Sequence, residues 1–200
     1  MSFNDFRLLY ALSCFGLGLI ILSPTLAVVI RLPAGERFSE LWILGSDGMA
    51  EDYPFDVVEG VGYNVTLGIG NHMGCLEYYM VYVKIRNQTE PLPDTVNGTP
   101  SVLEPIFEYR AFLKDNAMWE REVSFSLKSV SFEGNFCKVS NFVIDGHVFD
   151  VDKLVMWSEE NRGFYLQLFF ELWIYNGTVS DFQYYNRCVW FWLNMTVPRI

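Results

Sequence analysis

The chain has 200 residues, 17% of them aromatic, with a formal net charge of −10. The aromatic content excludes a disordered stalk. The acidity excludes nucleic acid and anionic lipid surfaces as partners of the bulk of the chain, since both need a positive footprint.

Residues 1–7 form a short N-terminal segment, and Leu8 to Ile30 are 23 uncharged, almost wholly apolar positions. A helix of that length rises about 35 Å, enough to cross a hydrocarbon core of about 30 Å, so residues 8–30 are predicted to form a single transmembrane anchor in membrane lipid. Thr25-Leu26-Ala27 offers the small residues of a signal-peptide cleavage site, which is the alternative reading. The run continues through Val28, Val29 and Ile30 and is longer than a usual signal core, which favours a retained anchor.

Flanking charges do not orient this anchor, because Arg7 is offset by Asp5 and Arg31 and Arg37 lie among acids. The sequons do. Asn64, Asn87, Asn97, Asn176 and Asn194 each open an Asn-x-Thr triplet, and all five lie beyond the apolar run. Chance would supply about one. Residues 39–200 are therefore expected outside the cell membrane as an N-glycosylated domain, after a spacer at 31–38.

Beyond the spacer the hydrophobic pattern has period two and is punctuated by Gly, Asn, Asp and Pro. Ser39–Leu44 reads as a first strand. From Gly62, Val65, Leu67 and Ile69 share one face. A strand over 76–86 puts Tyr79, Val81, Val83 and Ile85 on one side. Pro91, Pro93 and Pro100 mark a loop, and Ile106–Leu113 is a further strand. Trp119–Leu127 alternates well. Residues 129–161 are less regular, with a tight hairpin at Asp145-Gly146. Phe164 to Ile174 forms an apolar face, Asn176-Gly177 turns the chain, and Cys188–Val197 is the last strand. Without a helix–strand rhythm, these elements predict an all-β, antiparallel, immunoglobulin-like β-sandwich preceded by one N-terminal transmembrane helix.

The segment FSELWILGSDGMAEDYPFDVVEGVGYNVTLGIGNHMG resembles the start of the outer domain in the domain of unknown function 1616 family, a group of largely archaeal predicted membrane proteins. Trp119-Glu120 with Val123 and Phe125 is similar to a later strand of that family. Leu172-Trp173-Ile174-Tyr175, Tyr185-Asn186-Arg187 and Trp192 resemble its closing hairpin. The likeness covers about 31–128 and 163–197 and leaves 129–161 as an addition. It implies a sandwich and an archaeal surface location, and no activity.

No catalytic or metal-binding motif emerges, and no cofactor is expected. Gly68-Ile69-Gly70 is a strand end, because no helix follows as a dinucleotide loop requires. Two histidines, His72 and His147, cannot build a histidine-rich metal centre. Asp145, Asp150 and Asp152 lack the order of a calcium loop and read as solvated acids of a hairpin.

In an immunoglobulin-like order the strands at 76–86, 164–175 and 188–197 lie side by side. The face opposite the core then carries Tyr78, Tyr82, Phe169, Trp173, Trp190 and Trp192, too many large aromatics for an open monomer surface. Residues 129–161 are expected to fold across this face, fastened by a Cys137–Cys188 disulfide, with Cys75–Cys188 as the second choice. Otherwise the face meets a protein partner, a second copy of the chain or a glycan. The functional expectation is a non-enzymatic interaction or structural subunit of an envelope assembly. A carbohydrate-binding or adhesion module is the alternative, and a membrane-anchored hydrolase comes third.

Overall fold

A computed structural model describes residues 3–29 and 36–196. The chain divides into two units, Met1–Arg37 and Phe38–Ile200. The first holds helix α1 (Phe3–Val29). Its described apolar side chains, among them Phe6, Leu9, Leu12, Phe15, Leu17 and Ile20, are all exposed. Among the described residues, no helix is long and apolar enough to cross a membrane. The end of the predicted span at Ile30, spacer positions 31–35 and Val197 lie outside the described residues, as do the side chains of 22–29.

The second unit is nearly all β: β1 (Phe38–Leu44), β2 (Asp56–Val58), β3 (Tyr63–His72), β4 (Glu77–Arg86), β5 (Phe107–Leu113), β6 (Met118–Glu133), β7 (Phe136–Ile144), β8 (His147–Ser158), β9 (Gly163–Asn176) and β10 (Asp181–Thr196). They form one ten-stranded sheet. One limb runs β1-β3-β6-β7-β8 and the other β5-β4-β9-β10-β2. The limbs meet where Trp157 pairs with Phe164 and Ser158 with Gly163. The sheet curls so that both limbs enclose one core, to which β3 gives Val65, Leu67 and Ile69, β6 gives Val123, Phe125 and Leu127, and β9 gives Leu166, Leu168, Phe170 and Leu172. Phe125 and Phe191 meet across it with ring centres 5.8 Å apart.

Period-two alternation explains this placement, because every second residue of a strand faces the same way. The strands expected side by side are neighbours: β4 pairs with β9, and β9 with β10. The hairpin tip also forms as expected, with Asp145 at φ 46° and Gly146 at φ 79°, both in the left-handed region a two-residue turn requires. Strand β2, which runs parallel to the end of β10, was not anticipated; three residues carry too little pattern.

The expected cover of 129–161 is corrected. This segment is the end of β6 with β7 and β8, and it extends the opposite limb. Its alternate residues Cys137, Val139, Phe142, Ile144 and Val155 enter the core. A left-handed Ser129 and a register shift between Val139 and Asn141 break the regular alternation, so the strands were hard to read. The expected Cys137–Cys188 bridge is likewise not formed, nor is the second choice, Cys75–Cys188. Cys137 lies inside the core with its sulfur 3.9 Å from that of Met195. Cys188 is on the other face of the same β10 strand, so the sheet itself separates the two thiols.

The Gly68-Ile69-Gly70 segment has a packing role. A Cβ on Gly68 would fall 2.1 Å from the Trp42 ring, and one on Gly70 would fall 2.6 Å from Glu40 Oε2. The missing side chains let the cross-strand neighbours of β1 lie flat on β3.

Candidate functional site

The outward face of β4-β9-β10 is built in cross-strand rows. Met80 stands beside Trp173 and Tyr184; Tyr82 beside Glu171 and Cys188; Lys84 beside Phe169 and Trp190; Arg86 beside Gln167 and Trp192. All six expected aromatics are therefore on one face. Their exposure differs, however. Phe169 is fully buried, Tyr78, Tyr82, Trp173 and Trp192 are half-buried, and Trp190 is 47% exposed. Tyr78 stacks on Phe112 of β5 at 3.9 Å between ring centres.

The cover over the middle of this face comes from the β4–β5 loop. Ser101 donates its backbone N–H to Glu171 Oε1 at 2.8 Å, and its carbonyl accepts from Lys84 Nζ at 2.8 Å. Lys84 Nζ also lies 2.9 Å from Glu171 Oε2. The loop gives each member of this buried ion pair one further hydrogen bond, and Trp173 Nε1 donates to Glu171 Oε2 at 3.4 Å, the kind of support a charge removed from water requires. Burial, followed by the nearby Glu171 carboxylate, pushes the Cys188 thiol up to about 12. Burial alone raises that of Cys137 to about 11.

At the far end of the face lies an open cleft of ≈ 690 Å³, lined by Phe55, Arg86, Gln88, Ser158, Asn161, Tyr165 and Trp192. Tyr165 stands edge-on to Trp192, and Phe55 lies 5.9 Å from Tyr165. Tyr165 is oriented by donating its hydroxyl to the Asn161 carbonyl at 2.6 Å. The Arg86 guanidinium carbon sits 5.1 Å from the centre of the Trp192 ring. Its Nε donates to Gln167 Oε1, and its Nη1 to the carbonyls of Asn87 and Glu90. Burial lowers the Arg86 pKa from its ordinary value. Apolar ring faces beside polar hydrogen-bonding groups suit a small amphipathic ligand.

Sequence reasoning located the aromatic face and missed the polar residues set into it. Lys84, Arg86, Gln167 and Glu171 interrupt otherwise apolar strands on their outward positions, and that interruption was the available signal. Phe55 had none, because it comes from an irregular segment.

The other sequence candidates are dispersed. Asn64 and Asn97 are exposed, and Asn87 and Asn176 are half-buried. Asn194 donates to Asp56 Oδ1 at 2.7 Å, and its own Oδ1 is buried. His72 bridges Asn116 and Glu40 and stacks on Phe38. The turn after β3 is held by buried Asn71, whose Nδ2 donates to the Cys75 and Leu113 carbonyls and whose Oδ1 accepts from Met73 N. Asp145 accepts from Tyr109, Arg121 and the Ser124 backbone. No group of three or more metal-ligating side chains occurs among the described residues.

Fold and face together define an all-β domain with an aromatic, partly covered sheet surface. The sequence profile of the family described as Domain of unknown function (DUF1616) matches residues 32–137, and the chain belongs to that family. No curated protein matches the chain. Among solved structures it is similar to a beta-glucosidase from Listeria innocua in complex with glucose, at 13% identity and a TM-score of 0.34, over 80% of this chain and 16% of that one. The same enzyme in complex with isofagomine gives 12% identity and a TM-score of 0.31, over the same shares. The chain thus spans 16% of the length of the enzymes it matches.

Proposed function

We propose that the protein is a non-enzymatic, membrane-anchored cell-surface protein of archaeal type whose immunoglobulin-like β unit binds carbohydrate at the outward face of β4-β9-β10. The observation that carries this reading is the cleft lined by Phe55, Tyr165 and Trp192 beside exposed Trp190. Aromatic faces pack against the apolar face of a sugar ring, and nearby amides, hydroxyls and a guanidinium hydrogen-bond its rim. A hydrolase would need paired acids at this cleft. The cleft is lined instead by rings, amides, the hydroxyls of Ser158 and Tyr165, and a guanidinium.

The anchor rests on the uncharged, almost wholly apolar run Leu8–Ile30 and on its helical conformation in α1. The extracellular, glycosylated placement rests on the sequons. Asn64, Asn87, Asn97 and Asn176 are the proposed carriers. Asn194 is not, because its amide oxygen is buried in the fold.

A second reading, a protein partner or self-association within an envelope assembly, is favoured by Phe112, which is 67% exposed and stacked on Tyr78. A glycan array probed with the full chain separates the two. Sugar binding lost in Trp192→Ala and kept in Phe112→Ser supports the cleft. Absence of sugar binding, with association lost in Phe112→Ser, supports the protein partner. Protection of residues 40–200 from external protease in intact cells would overturn the surface location.

A further inference from the structure

Arg86 is 9% exposed, yet every acceptor it meets is neutral. No carboxylate among the described residues stands within ion-pair distance of it. The nearest acid by sequence, Glu90, has its carboxylate engaged with Lys153 Nζ at 2.5 Å and with the Asn87 N–H at 2.8 Å. Lys84, two residues earlier on the same face, has Glu171 as its partner. Of the two buried cations on this face, one is neutralised by contact, while the other feels the Glu90 charge only from beyond ion-pair distance and opens onto the cleft. The remaining guanidinium nitrogen, Nη2, has no hydrogen-bond partner among the described residues. Beside it in the same cross-strand row, Gln167 is 1% exposed and its amide nitrogen is buried without a partner. The Arg86 guanidinium lines the cleft with a donor to spare, over a row whose buried Gln167 amide offers no negative charge, and so can receive an acceptor that carries one.

We propose that the cleft binds a carboxylate-bearing sugar, with Arg86 taking the carboxylate and Tyr165 and Phe55 packing the ring. This deepens the carbohydrate reading and rests on it. The ligand carries few charges: Glu159 and Glu160 at the neighbouring turn are exposed and outside the cleft lining, and the chain is strongly acidic, so a polyanion is repelled. Burial of Arg86 strengthens the attraction, because a guanidinium held out of water meets a carboxylate at a lower effective dielectric.

The test uses the full chain in a detergent without a sugar headgroup, with binding of three matched probes followed by NMR: methyl glucuronide, its methyl ester and methyl glucoside. The glucuronide is expected to bind at least about tenfold more tightly than the ester or the glucoside, as charge-assisted contacts exceed neutral ones. Gln88→Glu supplies a carboxylate from the chain itself. It should abolish the preference while leaving the thermal midpoint unchanged or raised, so the result survives even if Arg86→Gln fails to fold. Equal binding of glucuronide and glucoside would overturn the carboxylate assignment and leave the carbohydrate reading standing. Glucuronide affinity unaltered in Gln88→Glu would overturn the placement. Binding of none of the three probes would overturn both.

Discussion

The ammonium of Lys84 lies 2.9 Å from a carboxylate oxygen of Glu171, and neither side chain is more than 3% exposed. Removing one partner strands the other charge out of water. Lys84→Met should therefore cost about 3–5 kcal/mol. The double variant Lys84→Met with Glu171→Gln keeps an acceptor for the Ser101 N–H and should return to within about 2 kcal/mol of the native chain. Urea denaturation of the four species gives the coupling; additive losses would show that the pair acts as two separate groups.

Trp42 depends on a strand without side chains beneath it. Gly68→Ala places a methyl group in the Trp42 ring, where the gap is 2.1 Å. The expected loss is about 1–3 kcal/mol, the usual cost of overpacking. In a Trp42→Ala background the same change should cost little. A cycle with no coupling energy would refute the seating of the ring on β3.

Thiol chemistry should sort the three cysteines of the β unit. Cys75 is exposed, whereas Cys137 and Cys188 are held protonated by burial, at about 11 and about 12. The thiolate is the reactive form. Iodoacetamide at neutral to mildly alkaline pH is expected to modify Cys75 in the folded chain, and Cys137 and Cys188 only after denaturation. Mass spectrometry of labelled peptides reads the order directly, and a linked 137–188 peptide under non-reducing conditions would contradict the separation of the two faces.

Alkaline pH should loosen the fold. The Cys188 thiol rises from 9.0 to about 12 on folding, and the Tyr79 phenol from 10.0 to about 12, chiefly through burial. Within that window the unfolded chain has released protons that the native chain retains. The stabilisation is complete below pH 9 and is lost as pH climbs toward 12. The thermal midpoint should fall steadily above pH 9, and Cys188→Ala should flatten the first part of the fall. A midpoint independent of pH over this range would count against burial of both groups.

The strands that alternate cleanly were legible, and their neighbours were too: β4, β9 and β10 lie as the pattern of Tyr79, Leu166 and Leu193 implies. Where alternation is broken by Ser129 or by the shift after Val139, the pattern loses its period, and nothing in it assigns the segment to a limb of the sheet. The aromatic surface was legible for the same reason of period. The cleft was not, since it gathers Phe55, Gln88, Ser158 and Trp192 from four separate segments. Nor was the sorting of charges, because which cation acquires a partner depends on where the Ser101 loop comes down.

The order in which β4 finds its neighbours also bears on how the chain is made. Arg86 of β4 meets Gln167 of β9 across 81 residues of sequence, and Asn64 of β3 reaches Glu122 of β6 across 58. By contrast, β6, β7 and β8 pair with immediate successors. During synthesis this meander can form as it emerges, while the apolar edge of β4 waits for a strand not yet made. Non-local pairing of this kind slows folding and prolongs the exposure of unpaired strands. The aromatic face is thus the part of the protein completed last, and newly made chains should pass through a stage in which the meander resists exchange and the β4–β9–β10 surface does not.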